Sequence, residues 1–487
     1  MIGRIGFTGV TTVALMLLSI ALPVRGEDAP PAKQAAAKDP PAKVAPPGDT
    51  PPVKLTIYPA PAPRPALKHR LLPDFKSRIR GNAAVYYGKV TAEQTSTFGN
   101  RERLDKFTRW RETPLAELRK DDVLMATDGI ENMLYRAACC ESCDWQLPLR
   151  EEEFYSILLP EVQQTREFAR ILGTRARIQI ARSEFDGAVK TFQTGYALAR
   201  NVAEGETLVN GLVGVAIAGI LNDQLTEFVQ QPKAPSLYWA LTMLPRPLID
   251  MRKGVEAELS ALWLSFPEVR NLDAQRSPEE WRQTLFRFWE RVVRIANGDD
   301  PKLGTPLDLT AASLKEYATA KQALVERGLD PKVAEGMPAA QIVLIYTIRT
   351  YEDIRDDRFK WFFVSYPEGV LGAEAATEEI QHADQGERQI SPLVKFLLAV
   401  GNPALIASSR TDRDMAILRV IEALRIYGAS HDGRLPQTLA DVTEVPLPLD
   451  PITGKQFEYR LEGDTATLQV TPLRGRPATY EIKMARP

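Results

Sequence analysis

The chain has 487 residues, more than the roughly 250 to 300 at which one hydrophobic core stops growing, so two folded units are expected. Its 61 basic and 63 acidic residues are interspersed and leave a formal charge of −2. No basic field is present to attract nucleic acid, which excludes that class of partner.

At the N-terminus, Arg4 precedes an apolar run through Val13, Leu15, Leu17, Leu18 and Ile20, and Val24-Arg25-Gly26 places small side chains ahead of Glu27. This pattern predicts a signal peptide over residues 1–26 and an exported protein, periplasmic or associated with the cell envelope. Ser19-Ile20-Ala21 is a second candidate cleavage site. The alternative is an uncleaved anchor, because Ile5 to Val24 is about the roughly 20 residues that a spanning helix needs, and this would attach the protein to a membrane. Gly6-Phe7-Thr8 resembles the start of a type IV prepilin, but Thr11 stands where that family carries the glutamate used in filament assembly.

Residues 27–65 are rich in Pro, Ala and Lys, with pairs at Pro30-Pro31, Pro40-Pro41, Pro46-Pro47 and Pro51-Pro52. Too few large apolar groups are present to offset ordering entropy, so a disordered, extended linker is expected there.

Residues 66–407 read as a helical domain, since apolar positions recur at three and four. Ser277-Pro278-Glu279-Glu280 is a capping box with proline at the first helical position, and Trp281, Leu285, Phe288, Trp289, Val292 and Ile295 then share one face up to Gly298. A second long helix is expected from Pro338 through Ile342, Leu344, Ile345, Ile348, Tyr351 and Ile354 toward Phe363. Leu208 to Leu221 is apolar around most of its circumference and too short to span a bilayer comfortably, which makes it a core helix. Ala176, Phe185, Ala188, Phe192 and Gly195 resemble one tetratricopeptide unit, with Leu172 and Gln179 where that family has aromatics. The resemblance implies helical hairpins packed as a solenoid or an irregular bundle.

The pattern changes in residues 408–487. Thr411 and Asp414 suggest a helix start, Met415, Leu418, Ile421 and Leu424 its buried stripe, and Gly433 and Pro436 its end, with one further short turn before Val442. The period then drops to two through Phe457, Tyr459 and Leu461, a turn at Gly463-Asp464, and Ala466, Leu468 and Val470, with Tyr480, Ile482 and Met484 as a third strand. The expected architecture is therefore mainly α, with helical hairpins followed by a small α+β module that carries a short antiparallel sheet. Gly433-Arg434-Leu435-Pro436, Leu439, and Asp450-Pro451-Ile452-Thr453-Gly454-Lys455 ahead of Phe457 and Tyr459 resemble the globular end of a type II secretion pseudopilin. Cys143-Asp144-Trp145, the run from Leu237 to Thr242 and the run from Leu244 to Asp250 resemble a group of exported, mostly helical bacterial proteins. That likeness implies a signal-bearing helical chain and no particular activity.

Few constellations carry chemistry. Cys139, Cys140 and Cys143 are the only cysteines, and in an oxidising compartment Cys143 can close a small loop with Cys139 or Cys140. Buried free thiols are the alternative, and three thiols without a nearby histidine make an incomplete zinc site. His69, His382 and His431 are the only histidines, and no Gly-x-Ser-x-Gly elbow, His-Glu-x-x-His pair or phosphate loop occurs. Glu352, Asp353, Asp356 and Asp357 share a helix with Arg349, Arg355 and Arg358, where Glu352–Arg355 and Asp353–Arg349 pairs fit the helical spacing of a solvated face. Asp450 is a weak calcium candidate beside its reading as a turn-stabilising aspartate. Tyr238, Trp239, Trp361, Phe362, Phe363 and Tyr366 are candidates for a binding surface, the alternative being core packing.

Together these features point to an exported, non-enzymatic helical scaffold with no cofactor, binding a protein partner of the envelope. One rival is an envelope hydrolase using Glu352 and Asp356 in a helical groove. Another is an accessory component of a secretion apparatus, acting through the tail.

Overall fold

A computed structural model describes residues 51–93, 105, 109–118, 123–150, 154–157, 159–297, 306–385, 401–472 and 478–485. The expected signal peptide, linker residues 27–50, Gly298 and residues 386–400 of the expected helical domain lie outside these residues. The fold is mainly helical with a small C-terminal sheet, as expected.

The first described element corrects the linker boundary. Strand β1, Val53–Ile57, pairs in parallel with the last strand, β6. Its apolar side chains alternate, and Leu55 and Ile57 are buried. The prolines around it suggest a tether, but they flank the strand rather than interrupt it, and a sheet edge tolerates them. A second short strand, β2 (Ile79–Asn82), leads into α1 (Ala83–Glu93). After the short α2 (Leu115–Leu118) and α3 (Val123–Ala138), strand β3 (Cys140–Ser142) returns to pair in parallel with β2.

Three consecutive helices form the centre of the body: α4 (Pro160–Ala181), α5 (Phe185–Ala203) and α6 (Leu208–Val229). Ser183 takes a positive φ of 61° in the tight turn between the first two. Small residues set their spacing, since a Cβ on Gly214 would stand 2.6 Å from the Ala199 carbonyl oxygen and one on Gly195 would meet Leu221 at 2.7 Å. Helix α6 starts where the Thr207 hydroxyl accepts the Asn210 amide hydrogen bond at 3.1 Å. It runs eight residues beyond the expected Leu221, because Leu225, Phe228 and Val229 continue its buried surface and Asn222 Oδ1 accepts from the Tyr196 hydroxyl at 2.8 Å. Among the described residues α6 is the one helix long and apolar enough to cross a membrane, and 61% of its most apolar window is buried inside the protein.

Helices α7 (Tyr238–Thr242), α8 (Arg252–Ser265) and α9 (Pro278–Asn297) follow. The capping box at the start of α9 is present, with Ser277 N–H donating to Glu280 at 2.7 Å and Glu280 N–H donating to the Ser277 hydroxyl at 3.3 Å. Trp281, Leu285, Phe288 and Val292 of α9 form a second core with Leu262, Phe266 and Val269 and with Leu344, Ile348 and Tyr351. The last three belong to α12 (Ala339–Phe359), which follows α10 (Pro306–Glu326) and α11 (Pro331–Gly336). The expected extension of α12 to Phe363 is instead a 3₁₀ turn, Lys360–Phe363, ahead of α13 (Tyr366–Gln385).

The final helix, α14 (Gly401–Ser430), corrects two expectations at once. It begins ten residues before Thr411, whose hydroxyl donates to the Ala407 carbonyl at 3.3 Å from inside the helix. The domain boundary expected at 407/408 therefore falls within a continuous rod. Leu418, Val420, Ile421 and Leu424 of this helix share one core with Leu221 and Leu225 of α6 and with Leu468 and Ile482 of the sheet, so helical body and tail are packed as one unit. Gly433, at φ 71°, closes the helix end by donating to the Gly428 carbonyl at 2.8 Å. Strands β4 (Glu458–Glu462), β5 (Thr465–Gln469) and β6 (Thr479–Met484) then build a meander. With β1 added beside β6 the order is β1-β6-β5-β4, and the sheet is mixed rather than purely antiparallel.

Candidate functional site

A solvent-open cleft of about 480 Å³ lies where the 3₁₀ turn Pro267–Asn271 faces α9. Pro267, Glu268, Arg276, Glu280, Gln283, Thr284 and Arg287 line it. The capping box fixes the first turn of α9 and so sets the direction of Thr284, which is buried one turn further on. Its hydroxyl donates its only hydrogen to the Glu280 carbonyl at 2.8 Å, leaving lone pairs toward the cleft. Arg276 and Arg287 both donate to that oxygen, at 3.0 and 3.4 Å. The Arg276 guanidinium also lies over the Trp281 ring, 4.7 Å from its centroid, which restricts its orientation. Neither arginine is held in an ion pair among the described residues. Across from them, Glu268 takes Arg291 through Oε1 at 3.3 Å, while its buried Oε2 has no hydrogen-bond partner.

The cysteines expected to close a disulfide are all free. Burial raises the pKa of each thiol and pushes Cys143 up to about 12, which suppresses the thiolate that exchange chemistry requires. Their surroundings also differ: Cys139 meets the Tyr135 hydroxyl, Cys140 donates to the Arg136 carbonyl, and Cys143 meets the Ala84 amide.

The aromatic surface does not assemble as expected. Tyr238 is wholly buried, its hydroxyl donating to the Pro446 carbonyl, and Trp239 packs edge-on against its ring with centroids 5.1 Å apart. Trp361 is half-buried against α13, where a Cβ on Gly372 would stand 2.4 Å from the indole. Tyr366 is half-buried, with its hydroxyl 2.7 Å from that of Ser408. Phe362 packs on the main core and Phe363 stays half-exposed.

The acidic face is paired, but differently from the expected scheme. Glu352 bonds Arg349 at 2.9 Å, Asp353 bonds Arg327 at 2.6 Å and Asp356 bonds Arg355 at 2.9 Å. Arg355 is unavailable to Glu352 because it turns inward to the Leu259 carbonyl, at 2.8 Å. Asp450 is buried with both carboxylate oxygens on Arg413, each at 3.1 Å, and Oδ1 also accepts the Ile452 amide at 2.9 Å. This is the turn-stabilising reading, and a calcium ion would compete with a guanidinium for the same oxygens. Among the described residues no group of three or more His, Cys, Asp or Glu is placed to hold a metal ion. At His431, Ser430 and the Tyr427 carbonyl both meet Nδ1, at 3.1 and 2.9 Å, so the ring cannot relay a proton from serine to acid through its two nitrogens.

Two half-buried carboxylates with raised pKa values were missed from sequence. Asp412, raised to about 6 chiefly by burial, accepts the Leu248 amide at 2.9 Å. Glu258, raised to about 7 by burial, lies near Tyr155 and Tyr351. Either would have been visible only as an acid at an apolar position of its helix. With this geometry in hand, no family model, curated protein or solved structure matches the chain.

Proposed function

We propose that the protein is an exported helical scaffold of the cell envelope, joined to its N-terminal segment by the proline-rich linker and binding a protein partner through the arginine-lined cleft. What carries this reading is the distribution of charge. Glu352 and Asp356, the carboxylates with a sequence claim to acid-base work, and Asp450, the calcium candidate, are each bound to arginine. By contrast, Arg276 and Arg287 in the cleft direct their donors at a neutral hydroxyl. Guanidinium groups held in place without a carboxylate are suited to recognising an anionic group on a partner. The common core of α6, α14 and the sheet supports the scaffold part, because a docking face needs a rigid frame.

The test is affinity capture from envelope fractions with the full-length protein and with the Arg276→Glu/Arg287→Glu double variant. The expected result is one reproducible partner that the variant fails to retain while its circular dichroism stays unchanged. Equal recovery by both proteins would remove the cleft from the reading. A hydrolase reading draws on Glu258, whose carboxyl holds its proton to about pH 7. Release of reducing ends from envelope glycan by the wild type, lost in Glu258→Gln, would replace the scaffold reading with that one.

A further inference from the structure

The cleft is lined by donors on α9 and in the loop before it and by an acceptor on the 3₁₀ turn. On the α9 side, two guanidinium groups converge on Thr284 Oγ1, an oxygen that has no hydrogen left to offer. The 3₁₀ side presents Glu268, whose side chain is 8% exposed and whose Oε2 is buried without a partner. A carboxylate oxygen left without a hydrogen bond is unfavourable, so a donor that reaches it is bound in preference to water. Glu280 also lines the cleft, where its Oε2 accepts from both the amide and the hydroxyl of Ser277 and its charge offsets part of that of Arg276. Glu268 is paired with Arg291 through Oε1, so an anion alone would satisfy the arginines and leave Glu268 Oε2 without a donor. A cation alone would meet the reverse problem.

We infer that the cleft binds a short zwitterionic peptide, its C-terminal carboxylate taken by Arg276 and Arg287 and its free amino group by Glu268. This rests on the cleft being the binding site of the scaffold. The volume of about 480 Å³ exceeds what a single amino acid fills and lies within the range of small-ligand pockets. The Gln283 amide is fixed by donating to Glu279 at 2.9 Å, which leaves its carbonyl oxygen for a peptide N–H.

Isothermal titration of the full chain with alanine, dialanine and trialanine, and with N-acetyl-trialanine and trialanine amide, tests the assignment. Free trialanine should bind at least tenfold more tightly than either blocked form. Arg287→Gln should abolish the preference for the free carboxylate, and Glu268→Gln the preference for the free amine, with thermal midpoints confirming that both variants are folded. Equal binding of free and blocked peptides, or no binding by folded wild-type protein, would overturn the inference. Capture of an envelope partner that still depends on Arg276 and Arg287 would then leave the scaffold reading standing with a different ligand, whereas loss of both results would remove the cleft altogether.

Discussion

Replacing Arg425 by alanine removes the group that ties the segment after β1 and the α6–α7 connection to α14. Arg425 and Glu422 are fully buried and paired at 2.9 Å. The same guanidinium donates to the Tyr58 carbonyl at 3.1 Å, just after β1, and to the Ala234 carbonyl at 2.6 Å, in the connection between α6 and α7. Removing the arginine leaves a carboxylate uncompensated in the core, and breaking such a pair costs about 3 to 5 kcal/mol. The Tyr58, Ala234 and Pro235 carbonyls lose a donor as well, the buried one being worth about 1 to 3 kcal/mol, although the terms overlap and do not simply add. Against a total stability of about 5 to 15 kcal/mol, the expected loss is a large share of the fold.

The assay is urea unfolding at pH 7 followed by far-ultraviolet circular dichroism, with amide hydrogen exchange at residues 53–60. Arg425→Ala should lower the unfolding free energy by at least about 3 kcal/mol and release protection first in β1. The Arg425→Met/Glu422→Leu variant removes both charges and should recover most of the loss, the remainder being the carbonyls left without a donor. If Arg425→Ala lies within about 1 kcal/mol of wild type, or β1 keeps its protection, the pair is not the anchor described and the reasoning fails.

Glu258 makes stability pH-dependent in a defined direction. Its folded pKa of about 7 lies above its ordinary 4.5, so the native state holds the proton longer and stability falls as pH rises from about 4.5 to 7, then levels off. The full swing is at most about 3 kcal/mol. Glu258→Gln should flatten that part of the profile in urea titrations at pH 5 and pH 8, leaving the smaller slope that Asp412 contributes through its own raised pKa. An unchanged profile would show that Glu258 is solvated in the native state. Gly195→Val places a Cβ 2.7 Å from Leu221 and should cost about 1 to 3 kcal/mol by thermal unfolding, with part recovered by Leu221→Ala. Ile57→Ala removes a wholly buried side chain and should cost about 2 to 5 kcal/mol; a loss under about 0.5 kcal/mol would return residues 51–65 to the linker.

The readable parts of this chain are those in which local pattern and tertiary environment agree. The capping box before Trp281 and the stripe from Trp281 to Val292 carry enough local information to place α9. The alternation through Tyr459, Leu461, Ala466 and Leu468 does the same for the β4–β5 hairpin. Strand β1 was hidden because its partner β6 lies at the other end of the chain, and five alternating residues among prolines do not outweigh composition. Helix α14 was only half legible. The charged residues along its apolar stripe suggest solvated side chains, yet Arg413, Arg419, Glu422 and Arg425 are buried. A charged residue satisfied by distant carbonyls leaves no periodic signature. The cleft was missed for a similar reason: Thr284 and Arg287 stand one turn apart on α9, but their relation to Glu268 exists only after the 3₁₀ turn packs against that helix.

The arrangement of the two main cores bears on how the cleft can be altered. Helix α8 contributes Val255 to the main core and Leu262 to the second one, so it joins them through a single rod. The cleft lines the second core only, through α9 and the 3₁₀ turn that follows α8. Arg425 and Glu422 share no hydrogen-bond partner with Arg276, Thr284, Arg287 or Glu268. Groups without common partners respond nearly independently, so cleft substitutions can change ligand preference without loosening β1 or α14. The scaffold thus separates the buried charges that hold the chain together from the accessible charges available to a ligand. Arginine serves both sets, and what differs is whether a carboxylate already occupies its donors.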